Sequence, residues 1–76
     1  MINSDEIKPD MPVLCSKNKQ FATVDHMDNG QIKLKKDPSG HHHYIPLAWV
    51  QSVDQSVHID RPGAQAMREW TSRPNK

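Results

Sequence analysis

The chain has 76 residues, of which 34% are hydrophobic and 25% charged, and its formal net charge is +1. A domain of this length buries only about 60% of the surface that its unfolded chain exposes, so the core must be small. The near-neutral charge argues against a dedicated nucleic-acid binder, and no apolar run approaches the roughly 20 residues that span a bilayer. The polar start MINSDEIKPD and the lone Cys15, which leaves no internal disulfide, favour a cytoplasmic protein.

Residues 1–10 predict a single N-terminal turn, because Pro9 stops the helical turn that Asp5 and Glu6 favour. Residues 11–60 alternate between short apolar runs and turn signals, which predicts five or six short strands. The candidate strands are MPVLCS, QFATVDHMD, QIKLKK, HHHYI, the end of LAWVQSVD, and VHID. The alternation places Met11, Val13 and Cys15 on one face, groups Ala22, Val24 and His26 on another, and points Ile32, Leu34, Val57 and Ile59 inward.

Two turn signals separate these strands. Asn29-Gly30 is the strongest short-range sign of a hairpin, because both residue types accept a positive φ. The sequence DPSG predicts a second turn just before the histidine run. Tight turns between short strands favour a small barrel, which leaves few strand edges unpaired.

The tail predicts a helix over residues 61–72, followed by a frayed end at 73–76. Asp60 is the expected cap and Pro62 suits the first turn, while Ala66, Met67 and Trp70 have helical spacing. A helix this short is not stable alone in water. It must therefore dock on its own domain or on another chain.

The sequence HHHYIPLAWVQSVDQSVHID resembles the end of the PRC-barrel fold, where an Ile-Pro turn leads into a helical turn and a last hairpin. With IKPDMPVLCSKN, FATVDHMD, IKLKKD and DRPGAQAMREW, it makes residues 2–70 resemble a short bacterial family of unknown function that is allied to that superfamily. The resemblance implies an all-β, SH3-like or PRC-barrel-like domain over residues 1–76, with the barrel at 11–60. It also implies a docking module, and it supplies no catalytic residues.

The histidine run raises the alternative of a transition-metal-binding protein. In a strand, His41 and His43 would share one face, and their rings could converge on one metal ion. Two ligands make a weak site, so a third would have to come from His26, His58 or an aspartate. A packed or solvated role for these histidines is the simpler interpretation, and we expect no cofactor.

A second alternative is a small nucleic-acid-binding barrel that uses a lysine face. Lys33 and Lys35 are its centre, with Lys36, Lys17 and Lys19 nearby in sequence. Several aspartates dilute this charge, so a solvated strand face is the simpler interpretation. Cys15 is expected to be a small buried hydrophobe rather than a reactive thiol.

The two tryptophans are the most informative apolar residues. Trp49 follows the Ile-Pro turn and is expected in the core, whereas Trp70 either packs on its own domain or contacts a second subunit. We therefore expect a non-catalytic binding or assembly module that associates with a protein partner or with itself through Met67 and Trp70.

Overall fold

The computed structural model describes residues 4–28 and 30–72, which form a small all-β fold with one short C-terminal helix. The first described element is a 3₁₀ turn at Ser4–Glu6, which agrees with the N-terminal turn that the sequence predicted. The remaining elements are β1 (Pro12–Leu14), β2 (Gln20–Asp28), β3 (Gln31–Leu34), β4 (Tyr44–Pro46), a 3₁₀ turn (Leu47–Trp49), β5 (Val50–Val53), β6 (Val57–Ile59) and α1 (Gly63–Glu69). The predicted frayed end at 73–76 lies outside the described residues.

The six strands form one mixed sheet in the order β4-β3-β2-β1-β6-β5. The central β1–β6 pair is parallel, and the other neighbours are antiparallel. The predicted barrel is therefore wrong for the described residues, because β4 and β5 are the two edges and do not pair with each other. The 3₁₀ turn at Leu47–Trp49 carries the chain from one edge to the other, where β5 pairs with β6 instead.

The nine-residue β2 joins the two halves of the sheet. Its first half pairs with β1 and its second half with β3, and a register shift lies between Val24 and His26. Such a bulge adds a residue to one strand and bends it. The bulge also breaks the predicted alternation of buried and exposed side chains along β2, because Val24 is buried whereas His26 is exposed. His26 therefore does not share the buried face of Val24.

The core confirms most of the predicted inward positions. Val13, Ile32, Leu34, Val57 and Ile59 are all buried, and Cys15 is buried as well. Trp49 is in the core, as expected for the residue after the Ile-Pro turn. The other large contributors are Val24, Ile45 and Val50.

The fourth strand is shorter than the sequence predicted. It covers only Tyr44–Pro46, so the three histidines precede it and lie in a loop. The expectation that His41 and His43 share a strand face is therefore wrong. The Asp37 carboxylate holds this loop in a turn by accepting backbone hydrogen bonds.

Helix α1 is also shorter than predicted and begins at Gly63. Pro62, rather than Asp60, occupies its N-cap position, and the Asp60 carboxylate instead accepts a hydrogen bond from Arg61 Nε–H at 2.7 Å. The helix has seven residues, and no helix within 4–28 and 30–72 could cross a membrane.

The β2–β3 hairpin provides a direct test of turn chemistry. Gly30 has a φ of +79°, and apart from its chain neighbours no described residue has an atom within 4 Å of where a Cβ would be. Gly30→Val should therefore destabilise the fold by more than about 1 kcal/mol through backbone strain alone, as thermal or urea unfolding would measure. Gly30→Asn, which tolerates this region better, should cost less. Equal unfolding midpoints for wild type and Gly30→Val would contradict this assignment of the turn.

Candidate functional site

The carboxylate of Asp37 organises the loop that leads into β4. Its Oδ1 accepts hydrogen bonds from the backbone N–H groups of Ser39 (2.9 Å) and His41 (3.0 Å), and from the Ser39 hydroxyl (2.6 Å). Its Oδ2 accepts a hydrogen bond from His43 Nε2–H at 2.7 Å. The hydrogen bond from the Ser39 hydroxyl, followed by those from His41 and His43, holds the pKa of Asp37 well below its usual range.

Ser39, His41 and Asp37 form a contiguous polar trio. The Ser39 hydroxyl donates its single proton to Asp37, so it must accept the hydrogen bond from His41 Nδ1–H at 2.8 Å. In a nucleophilic triad, by contrast, the histidine accepts the serine proton and the carboxylate orients the histidine. Here the hydrogen bonds run in the opposite direction, from His41 to Ser39 and from Ser39 to Asp37, and they stabilise a turn.

His43 is the most enclosed histidine of the loop, with a side chain only 13% exposed. Its ring stacks on the indole of Trp70, with centroids 3.9 Å apart and planes only 6° from parallel. Because Asp37 can only accept a hydrogen bond, Nε2 carries a proton. Nδ1 of the same ring is buried and has no hydrogen-bond partner within the described part of the chain.

The stacked Trp70 belongs to a segment that lies on the edge of the sheet. Trp70 is the C-cap residue that follows α1, and Thr71 then forms an isolated antiparallel bridge with Tyr44 of β4. Tyr44 N–H donates to the Thr71 carbonyl at 2.7 Å, and Thr71 N–H donates to the Tyr44 carbonyl at 3.1 Å. Trp70 also lies beside Phe21, with ring centroids 6.2 Å apart. Trp70 therefore packs on its own domain, one of the two alternatives that the sequence left open.

The other histidines are directed to separate partners. His42 Nδ1–H donates to the Leu34 carbonyl at 2.8 Å, and the same nitrogen lies 3.8 Å from Asp25. His26 Nδ1 lies 3.5 Å from the other oxygen of Asp25. His58 Nε2 donates to Asp54, at 3.1 Å from the nearer oxygen, in the β5–β6 turn.

The predicted metal set is thus divided among different neighbours. His41 and His43 both contact the Asp37 turn, while the proposed third ligands His26 and His58 are paired with Asp25 and Asp54. Among residues 4–28 and 30–72, no three His, Cys, Asp or Glu side chains are grouped so that they could hold a metal ion. The metal hypothesis nevertheless stays a prediction.

The predicted lysine stripe is partly neutralised. Lys35 forms an ion pair with Asp10, and this hydrogen-bonded carboxylate raises the pKa of the lysine. Lys33 is half-buried on β3, and Lys36 is exposed beyond it.

Cys15 is buried near the start of α1. The backbone N–H of Lys17 points at its sulfur at 3.4 Å, and this contact, followed by that of Lys19, lowers the pKa of the thiol. The sulfur packs inside the fold, as the strand pattern of the sequence predicted.

Arg61 ties α1 to the sheet. Its guanidinium donates to Asp60 and to Glu69, at 2.7 Å and 2.5 Å, and lies 3.9 Å from the centre of the Trp49 ring. These two carboxylates, Asp60 first, raise the pKa of the guanidinium. Ala66, on the inner face of α1, is fully buried against the domain, so α1 has a fixed position.

Met67 lies on the outer side of this anchored helix. It is 47% exposed and is the one large hydrophobic side chain that is exposed in the described part of the chain. Met67 and Trp70, the two predicted interface residues, therefore differ: Trp70 is half-buried against its own domain, while Met67 faces outward.

The comparison with protein families places the chain in one of them. Residues 7–67 match DUF2171, an uncharacterized protein family conserved in bacteria, so the chain belongs to that family. No curated protein and no solved structure matches the chain significantly. The predicted membership of a short bacterial family of unknown function is thereby confirmed.

Sequence reasoning missed the central role of Asp37. It identified DPSG as a turn but assigned the aspartate no contacts beyond it. The available signal was an Asp followed two residues later by Ser, a pattern in which the carboxylate accepts backbone N–H groups within the turn. Contact between His43 and Trp70 had no such signal, since 26 residues separate them in sequence.

We predict that Asp37 makes the fold sensitive to acid. Its pKa is lower in the folded than in the unfolded chain, so its stabilising effect is present above the unfolded value, about 3.9, and is lost as pH falls through the folded one. Asp37→Asn should lower the melting temperature at pH 7 by several degrees and reduce its fall between pH 5 and pH 2. Glu6→Gln removes one charge from the N-terminal turn and serves as the control. An unchanged acid dependence in Asp37→Asn would contradict the assignment.

We also expect zinc to leave the melting temperature unchanged. A metal that binds only the folded chain would raise it, but the rings of His41 and His43 already bond to Ser39 and Asp37. Thermal unfolding with micromolar zinc, copper or nickel tests this. A rise of many degrees that is lost in a His41→Ala/His43→Ala variant, but kept in His58→Ala, would establish the metal site instead.

Proposed function

We propose that the chain is a non-catalytic binding and assembly module of the bacterial cytoplasm, with a sheet of the SH3-like or PRC-barrel-like class. The local path of the chain supports this fold class. Ile45 and Pro46 end β4, the 3₁₀ turn at Leu47–Trp49 follows directly, and the β5–β6 hairpin comes next. This is the order of elements that the resemblance to the end of a PRC-barrel implies.

The arrangement of polar side chains supports a non-catalytic role. Asp37 is occupied by the loop that it organises, and Asp54 accepts hydrogen bonds from Ser56 N–H and His58 in a second turn. These bonds, Ser56 first, lower the pKa of Asp54. Both carboxylates are thus charged hydrogen-bond acceptors within turns. This favours a structural role for Asp37 and Asp54 over a role in proton transfer.

The observation that carries the proposal is the outward position of Met67 on an anchored helix. The hydrogen bond between Arg61 and Glu69 anchors α1 at the protein surface, and the buried side chain of Ala66 anchors its inner face. A second surface that covers Met67 would gain apolar burial without having to order the helix first. A flexible methionine also adapts to irregular apolar surfaces. We therefore propose that the chain self-associates through this side of α1.

The expected outcome is a concentration-dependent mass for the wild-type protein in sedimentation equilibrium. Met67→Glu should weaken the association at least tenfold, because the interface would have to bury a charge. Gln55→Glu adds the same charge at an exposed position in the β5–β6 turn, outside α1, and is the control.

Two results would count against this proposal. If the wild type is a monomer at high micromolar concentration, the chain does not assemble with itself. If Gln55→Glu and Met67→Glu weaken association equally, added charge rather than the Met67 contact is responsible.

A further inference from the structure

The edge strand β4 directs the backbone groups of one residue away from the sheet. Ile45 pairs with β3, and the His43 carbonyl accepts a hydrogen bond from β3 on the same side. In an antiparallel ladder, the residue between these two directs its N–H and C=O groups to the opposite side. That residue is Tyr44, and both of its backbone groups bond to Thr71, at 2.7 Å and 3.1 Å.

The two edges of the sheet differ in regularity. Strand β4 keeps one register with β3 along its three residues, whereas β5 has a register shift between Val50 and Ser52. A bulged edge resists the addition of another strand, while a regular edge is a template for it. The residues Trp70 and Thr71, here called the strap, therefore lie on the edge that another strand could extend.

We propose that the strap is an autoinhibitory contact, which occupies the edge where β4 would otherwise pair with β4 of a second copy of the chain. Thr71 and Tyr44 exchange both N–H···O=C bonds, as a hydrogen-bonded antiparallel pair does. A second Tyr44, related by a two-fold axis, offers the same donor and the same acceptor. The strap and the second copy therefore compete for the same two backbone groups.

The side chains of β4 are compatible with such a pair. Tyr44 would lie opposite Tyr44 of the second copy, and cross-strand pairs of aromatic side chains are favourable. The strand has the sequence Tyr-Ile-Pro, so the two-fold arrangement opposes no like charges within it. Pro46 has no N–H to donate, which keeps the pairing short. A short pairing is weak, so a strap of two residues is enough to prevent it.

The strap can leave the edge while α1 stays in place. Burial of Ala66 and the hydrogen bond between Arg61 and Glu69 hold the helix, and neither contact involves the strap. Trp70 is already extended, with φ −66° and ψ 163°, so the path of the strap is not a continuation of the helix. The Thr71 bridge and the packing of the Trp70 ring on its aromatic neighbours fasten the strap. Local opening has to break only these contacts.

Sedimentation velocity of the full chain tests the proposal. A Met67→Glu background is used, so that the proposed association through α1 does not contribute. Thr71→Pro removes the N–H that donates to Tyr44, and the extended backbone of Trp70 accepts a following proline. Trp70→Ala/Thr71→Pro removes the ring contacts as well. Both variants should dimerise at least tenfold more tightly than the Met67→Glu parent, because the competing strap has lost a backbone hydrogen bond.

Amide hydrogen exchange identifies the surface that associates. In the dilute Trp70→Ala/Thr71→Pro variant, the Tyr44 N–H should exchange faster than in the parent, and it should regain protection at high micromolar concentration. The Val24 N–H, which donates to Met11, reports that the core is intact. Ser72→Pro in the same background places the same ring one residue beyond the bridge, and this control should associate no more than the parent.

Four results would overturn the proposal. Strap variants that stay monomeric would show that the uncovered edge does not pair with a second copy. Tyr44 N–H protection that persists in the dilute double variant would show that the strap is not its cover. A dimer in which this N–H still exchanges freely would have another interface. Equal association of Thr71→Pro and Ser72→Pro would attribute the effect to the proline itself. Because Met67 is replaced throughout, the test is independent of the proposed assembly through α1.

Discussion

The bend in β2 is the constraint on which the rest of the fold depends. A straight nine-residue strand would pair with its neighbours in one flat layer, which a chain of this size could not cover on both sides. The register shift between Val24 and His26 lets β2 pair with β1 in one direction and with β3 in another. Both halves of the sheet can then bury their apolar side chains in a single cluster that includes Val13, Ile32 and Ile59.

This bend leaves two sheet edges, and the chain treats them differently. At β4, Pro46 has no N–H to offer and Thr71 pairs with both polar backbone groups of Tyr44. At β5, a register shift between Val50 and Ser52 interrupts the edge strand. The segment Trp70–Thr71 therefore covers a strand edge as well as supplying apolar surface. The composition of the C-terminal residues does not indicate the first of these roles.

Local alternation was enough to predict the strands and most of the core, because Ile32, Leu34, Val57 and Ile59 obey a period of two within short segments. Alternation failed at the bulge in β2, where one extra residue interrupts the period of two. His26 was consequently assigned to the wrong face. Alternation failed again at the histidine run, because side-chain bonds to Asp37 hold that loop and residue propensity does not encode them. The contact of His43 with Trp70 depends on how the whole chain closes, which no local pattern specifies.

The three consecutive histidines show how environment rather than residue type determines chemistry. His41 donates to a serine that is itself bonded to Asp37, His42 donates to the backbone carbonyl of Leu34, and only His43 lies between an anion and an aromatic face. In a regular strand, His41 and His43 would have shared one face, as the metal-binding alternative requires. In the loop that Asp37 builds, each ring instead has a partner of its own, and His43 is the ring that the C-terminal segment packs against.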